Sequence, residues 1–208
     1  EELVSRYRES RMIQHLFEVT SGVDSQMVGE TEILGQVKSA FESAGNENTV
    51  GIGLNRVFTR AFQAAKWART HTMIGRGQVS IGNVSVDLAT RIFGELDACK
   101  VLLVGSGEVG RLTAQALKSR NVSEVAFTSR TWGNAELLAN EIGGGLIPFN
   151  EFRDHLANYD IVITSTASET PLIDASTVKR LIRSRSYHPV FLIDLALPRD
   201  IDPAAAKI

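Results

Sequence analysis

A chain of 208 residues, 43% of them hydrophobic, can supply the core of one large or two small globular domains. Its net charge of −2 at pH 7 excludes a general basic footprint for nucleic acid, leaving only a local one open. The single cysteine, Cys99, excludes an intramolecular disulfide framework and a Cys-x-x-Cys metal cluster, so no metal site is expected, and it fits a reducing compartment. No apolar run approaches the roughly 18 to 20 residues of a membrane span, and no secretory leader pattern opens the chain. Two features suggest a piece of a longer protein. The chain starts at Glu1 without Met in a charged helical pattern, and it stops at Ala-Ala-Ala-Lys-Ile just after the helix start Asp202-Pro203.

Residues 1 to 20 carry Leu3, Tyr7, Met12, Leu16 and Val19 at near-helical spacings. Ser21-Gly22 and Val28-Gly29-Glu30 break that period, so the stretch reads as helix, loop and helix. The next helix is predicted from Thr31 to a stop at Gly45-Asn46. His15, Ser25, Glu30 and Gln36 form a polar set that could converge on a small substrate. The bland alternative is a satisfied histidine, a helix-start pair and a solvated glutamine.

Residues 53 to 70 give the cleanest helix, with Leu54, Val57, Phe58, Ala61, Phe62 and Ala65 on one stripe. Arg56 and Arg60 lie opposite the stripe, and Lys66 and Arg69 flank it. Between Asn48 and Val86 there is no Asp or Glu, yet Arg76 adds a further cation. Such one-signed charge could meet phosphates, or it is a solvated face compensated elsewhere. A glycine-rich link at 75 to 82 then precedes a helix over 83 to 96. The boundary is placed in that link, giving units 1–78 and 79–208.

From Lys100 the chain alternates short apolar runs with amphipathic helices: strands at 101–104, 124–128, 145–148, 160–165 and 190–194, helices at 108–119, 133–142, 150–157 and 174–183. That order predicts an α/β fold with a doubly wound parallel sheet. Gly105, Gly107 and Gly110 form a G-x-G-x-x-G turn between the first strand and its helix. The turn residues Gly105, Ser106, Gly107, Glu108, Val109 and Gly110 are therefore candidate contacts to a dinucleotide pyrophosphate. About twenty residues on, the second strand ends in Ser129-Arg130-Thr131 rather than in an acid. An arginine with neighbouring hydroxyls suits a 2′-phosphate, so the pattern selects NADP over NAD. Ligands bind at the carboxyl ends of such strands, which adds Thr166 and Ala167 to the cofactor candidates. Asp194 and Arg199, in Asp-Leu-Ala-Leu-Pro-Arg-Asp, are expected to form a structural pair.

The segment His15 to Lys38 resembles the signature of glutamyl-tRNA reductases, H-L-F-x-V-x-S-G-x-x-S-x-x-V-G-E-x-x-I-L-x-Q-V-K. Ile74 to Ser80, the glycine turn, Thr128 to Thr131, Ile163 to Ala167 and Asp194 to Asp200 agree with the same family, so the resemblance covers essentially the whole chain. It implies that residues 1–78 are the helical part of a catalytic α+β domain and 79–208 an NADP-binding Rossmann domain. It also implies a cysteine thiolate that attacks the aminoacyl ester of glutamyl-tRNA. The resulting thioester is reduced by NADPH to glutamate-1-semialdehyde, the first committed step of tetrapyrrole and heme synthesis. The family's nucleophile precedes the His15 segment, and Cys99, at the wrong end of the first Rossmann strand, cannot take its place. The chain alone is thus expected to bind NADPH without turning over.

By the same resemblance His15 assists ester cleavage or polarises the carbonyl, and Gly22, Ser25, Glu30 and Gln36 line the substrate site. The family dimerises through a C-terminal helical segment and hands its product to glutamate-1-semialdehyde aminotransferase. The location implied is cytoplasmic, or plastid in a plant, with no membrane partner. One departure is Asn134, where the family often has a further basic residue for the 2′-phosphate. Two other readings compete: a shikimate dehydrogenase-like NADP oxidoreductase, whose N-terminal α/β pattern the first 75 residues do not supply, and a non-catalytic NADP-binding module.

Overall fold

The computed structural model describes residues 5–25, 28–30, 32–75, 80–186 and 188–208. Packing divides the chain into two units, Glu1–Ser80 and Ile81–Ile208.

The first unit holds helices α1 (Glu9–Thr20), α2 (Glu32–Asn46) and α3 (Ile52–His71). Helix α1 packs on both of the others. Ala61 and Ala65, one turn apart on α3 and fully buried, let the neighbouring backbone come close. Phe41 of α2 stacks on Phe58 at 4.9 Å and meets Phe62 edge-on at 5.8 Å, which joins α2 to α3. The apolar stripe expected on α3 is graded rather than uniform. Its alanines are buried, Val57, Phe58 and Phe62 are half-buried, and Leu54 is exposed.

The second unit opens with α4 (Ile81–Phe93) and then alternates β1 (Lys100–Val104), α5 (Glu108–Ser119), β2 (Glu124–Thr128), α6 (Trp132–Ile142), β3 (Gly145–Leu146), α7 (Phe152–His155), β4 (Ile161–Thr164), α8 (Ala175–Ser184) and β5 (Phe191–Asp194). The five strands form one parallel sheet in the order β3-β2-β1-β4-β5. Val104 stands beside Thr128 on one side and Thr164 on the other, and Thr164 beside Asp194, so the carboxyl ends are level. Successive side chains of a strand point to opposite faces. Val101, Leu103, Phe127, Ile161 and Ile163 therefore pack with residues of α4, α5 and α6, while Leu102, Val104 and Val162 pack with Phe152, Ile173, Val178 and Leu181. Both faces of β1 and β4 are covered, which is why these strands read as unbroken apolar runs. Helix α4 closes on α5 at Gly82, where a Cβ would lie 2.6 Å from the Thr113 nitrogen.

Two expected elements are shorter than predicted. β3 spans two residues, because Pro148 has no N–H to extend the ladder beyond the Ile147 N–H bond to the Phe127 carbonyl. The helix expected over 150–157 is one α-turn, α7, followed by a 3₁₀ turn over Leu156–Asn158. At the carboxyl end, Asp202 caps a 3₁₀ turn, Pro203–Lys207.

Candidate functional site

The strand order reverses between β1 and β4, and the crevice at their carboxyl ends is where the glycine turn sits. Gly105 has φ +114°, a value closed to side chains, and its N–H donates to the Thr128 carbonyl at 2.9 Å. A Cβ there would also meet the Ser165 carbonyl oxygen at 2.7 Å. Gly110 lies against the Gly105 carbonyl and the Ser165 hydroxyl, so α5 can approach the sheet only without a side chain. Gly107, the residue before α5, faces open space and has no side chain to cap the helix. The first N–H groups of α5 are thereby presented to the crevice, with the positive end of the helix dipole behind them.

Beside this turn, the Ser106 hydroxyl donates to the Ser129 hydroxyl at 2.8 Å, tying the glycine turn to the end of β2. Thr128 is buried, and among the described residues its hydroxyl has no hydrogen-bond partner. Arg130 and Thr131 are exposed at the same strand end, and Glu108 and Val109 lie in the first turn of α5. The structure thus brings Gly105 to Gly110 and Ser129 to Thr131 to one edge of the sheet.

The end of β4 is organised by a residue that the sequence reading passed over, Asp200. It is fully buried, and its carboxylate accepts from the Thr166 N–H at 2.8 Å and from the Thr166 hydroxyl at 2.5 Å. Thr166 therefore spends both its donors inside the protein, while Ala167 next to it is exposed. Burial pushes the Asp200 carboxyl above its ordinary value. The Thr166 hydrogen bonds oppose that shift, the Asp194 charge adds to it, and the Arg130 charge opposes it. Asp194 does not pair with Arg199 as expected. Its carboxylate accepts from the Thr164 hydroxyl at 3.1 Å and from the N–H groups of Ala196 and Ile201 at 3.0 and 2.9 Å, and Arg199 is exposed. The reason is local, since the N–H groups on either side of Leu197-Pro198-Arg199 reach the carboxylate first. The sequence signal for Asp200 is an acid six residues beyond the Asp that ends a buried strand, with Pro between them.

In the first unit, His15 is half-buried on α1, its ring 4.3 Å from that of Tyr7. Its Nδ1 lies 3.1 Å from an Asp24 carboxylate oxygen, out of hydrogen-bond alignment. Gly22 turns the chain after α1 with φ +73° and faces the Glu30 carbonyl and Gly29. The Ser25 hydroxyl donates to the Glu30 carboxylate at 2.6 Å, and Arg69 Nη2 of α3 donates to the Glu30 carbonyl at 2.9 Å. Gln36 is exposed on α2, and among the described residues no hydrogen bond joins it to this set. Lys38, Lys66 and Arg69 line an open groove of about 420 Å³ with Leu34 and Phe62. Arg56 and Arg60 are exposed outside that lining, and Arg76 lies outside the described residues.

Cys99 is buried at the opposite end of β1 from the glycine turn. Burial and the Asp160 and Asp97 charges push its thiol up, away from the thiolate. That is the reverse of what a nucleophile needs.

Residues 1–72 match the family model described as "Glutamyl-tRNAGlu reductase, N-terminal domain", and residues 87–208 match that of "Shikimate / quinate 5-dehydrogenase". The glutamyl-tRNA reductase of Syntrophotalea carbinolica is 45% identical over 94% of this chain and 44% of its own length. That of Magnetococcus marinus is 42% identical over 96% of this chain and 48% of its own. Among solved structures, the glutamyl-tRNA reductase from Methanopyrus kandleri matches with a TM-score of 0.59 and 42% identity, over 97% of this chain and 51% of that one. The chain spans about half the length of the curated relatives it matches. With both family models in register along it and relatives 40–45% identical over nearly all of it, the chain belongs to the glutamyl-tRNA reductase family.

Proposed function

We propose that this chain forms the NADPH-binding domain and part of the glutamate pocket of an enzyme that reduces glutamyl-tRNA to glutamate-1-semialdehyde. The observation that carries the reading is the glycine turn. Gly105 makes the bend, Gly110 seats the helix, and Gly107 leaves the α5 N-terminus open within the same crevice as Arg130. A dinucleotide fits that arrangement, because the open N–H groups suit a pyrophosphate and the exposed Arg130 suits the 2′-phosphate of the adjoining ribose.

When bound, NADPH supplies a hydride for the acyl carbon of the glutamyl group. The residues of this chain then have separable tasks. Gly105 to Gly110 and Ser129 to Thr131 hold the adenosine and pyrophosphate half, with Thr166 and Ala167 beside the other half. Ser25, Glu30 and Gly22 shape a polar turn for the glutamyl group, Gln36 contributes from α2, and His15 sits ready to move a proton as the tRNA ester oxygen leaves. The nucleophilic cysteine of the family is not Cys99, whose burial argues against the role. The domain assignment, residues 1–78 for the substrate and 79–208 for the cofactor, goes with this reading. So do a homodimeric whole protein, an aminotransferase that receives the aldehyde, and a cytoplasmic or plastid location. Among the described residues no helix is long and apolar enough to cross a membrane.

Calorimetric titration of the chain with NADPH and NADH, repeated on Arg130→Ala, tests the assignment. The expected result is NADPH binding at least tenfold tighter than NADH, about 1.4 kcal/mol, with the preference removed by the substitution. Equal binding of both nucleotides to the unsubstituted chain refutes the 2′-phosphate role, and no binding of either refutes the cofactor site.

A further inference from the structure

Asp200 is a buried carboxylate that neither the glycine turn nor the polar turn of the first unit uses. It joins three segments at the carboxyl edge of the sheet. Its side chain holds both the N–H and the hydroxyl of Thr166, just beyond β4. Its backbone carbonyl accepts from the N–H groups of Leu172 and Ile173 at 2.6 and 3.0 Å. It stands at the far end of the loop 195–199, which Asp194 holds at both ends through the Ala196 and Ile201 N–H groups. Leu197, Pro198 and Arg199 stand exposed at the tip of that loop, Leu197 at 90%. Next to Thr166, Ser165 packs against both Gly105 and Gly110. Arg130 stands just past the end of β2, so the arginine and the clasp lie along the same carboxyl edge of the sheet.

The placement gives this clasp a direction. β1 and β2, with Arg130, form the half of the sheet that takes the adenosine of a dinucleotide, and β4 and β5 lie across the point of reversal. The second nucleotide of a cofactor that crosses the pyrophosphate site then lies over the ends of β4 and β5. A fold that merely had to connect these strands could do so with backbone hydrogen bonds. Burying a charged carboxylate there carries a desolvation cost and fixes donors in place in return.

Resting on the cofactor reading above, we infer that Asp200 is a positioning residue for the nicotinamide half of the dinucleotide, acting through Thr166 and the 195–199 loop. Asp200 itself touches no cofactor. It sets where Thr166, Ala167 and the Leu197 tip stand relative to the ring.

The test compares NADPH with 2′,5′-ADP, which carries the 2′-phosphate and no nicotinamide, on the unsubstituted chain and on Asp200→Ala. Reduced-nicotinamide fluorescence is read alongside the calorimetry. The expected result is at least a tenfold loss of NADPH affinity and loss of the bound-state change in nicotinamide emission, with 2′,5′-ADP affinity within twofold. Preserved 2′,5′-ADP binding also shows that the variant is folded around α5. Thr166→Val, which removes one of the two hydrogen bonds and keeps the shape, serves if the alanine variant does not fold, and gives a smaller loss in the same direction. Parallel loss of both ligands, or loss of neither, overturns the positioning role while leaving the cofactor site standing. Failure of the unsubstituted chain to bind either ligand overturns the cofactor reading and this inference with it.

Discussion

Replacing Arg185 with methionine removes the guanidinium that closes the amino-terminal edge of the sheet. Arg185 Nη1 donates to the carbonyls of Ala157 and Tyr159 at 2.9 and 2.7 Å, and Nη2 to Asp160 Oδ1 at 2.8 Å and to the Pro189 carbonyl at 3.1 Å. Its side chain is 11% exposed and that of Asp160 33%. Charge-assisted hydrogen bonds contribute about 1.5–3 kcal/mol each, and losing one partner of a buried pair costs about 3–5 kcal/mol. Asp160 keeps the Lys100 N–H at 3.0 Å and can be rehydrated, so the figure is reduced for screening to about 3 kcal/mol. With a urea m-value of about 2 kcal/mol/M, the midpoint of the second unit drops by about 1.5 M. The chain has two tryptophans, Trp67 in the first unit and Trp132 in the second, so urea unfolding followed by fluorescence on a Trp67→Phe background reads the second unit alone. A pH series adds a sign. Burial alone would raise the Asp160 carboxyl, but the Lys100 N–H and Arg185 bring it below the ordinary 3.8 of an aspartate. Its stabilising contribution is therefore present above pH 3.8 and lost as the pH falls through the lowered value. Arg185→Met should flatten that acid limb. A midpoint shift under about 0.3 M, which is about 0.6 kcal/mol at the same m-value, would refute the reasoning.

Gly82→Ala should destabilise the second unit by about 1–2 kcal/mol despite alanine's better helix propensity, because the new methyl meets the Thr113 backbone at 2.6–2.7 Å; a raised thermal midpoint would count against so close a crossing of α4 and α5. Asp174→Ala removes the cap of α8, in which the carboxylate accepts from the Thr177 N–H at 2.6 Å and, held chiefly by that bond, is lowered to about 2. Stability from this cap is present above pH 3.8 and lost as the pH falls through about 2, so wild type and variant should converge in acid-denaturation curves below that pH, and a constant gap between them would exclude the cap.

The sheet was legible because β1 and β4 are covered on both faces and so carry unbroken apolar runs, and because the helices between them keep a period near 3.6. Elements whose ends depend on tertiary partners were less so. Nothing local in Phe149 to Asn158 says that the helix stops after one turn, since its end is set by packing of Phe152 and Leu156 beneath the sheet. The same limit applies to the carboxylates. Asp194 and Arg199 are near neighbours of opposite charge, and proximity in sequence suggests a pair. Of the competing donors, Thr164 reaches Asp194 only once β4 lies beside β5, and Ile201 only once the loop after β5 has turned back on its strand. Asp200 gives even less away, because its partner Thr166 is thirty-four residues distant. Residues such as Ser25 and Glu30, five apart, could be read as a local pair, whereas the Arg69 contact to the Glu30 carbonyl depends on how α3 lies.

The two edges of the parallel sheet show how one module combines stability with an open site. At the amino-terminal edge charge is matched by charge: Arg185 meets Asp160, Lys100 meets Glu124 at 2.9 Å, and the loop carbonyls accept from the guanidinium. At the carboxyl edge the polar groups point inward or remain open. Two carboxylates hold loops through N–H and hydroxyl donors, Arg130 is exposed, and the α5 N-terminus has no capping side chain. Donors left open at one end of a parallel sheet favour an anion there, since strand ends and helix N-termini converge on that side alone. The amino-terminal pairs can therefore bear mutation at a cost in stability with little effect on binding. A change at Asp200 or Gly110 acts on the position of groups that a ligand would meet. Unfolding and binding measurements on the same variants should accordingly separate by edge, and a variant such as Arg185→Met that weakened NADPH affinity as much as stability would contradict this division.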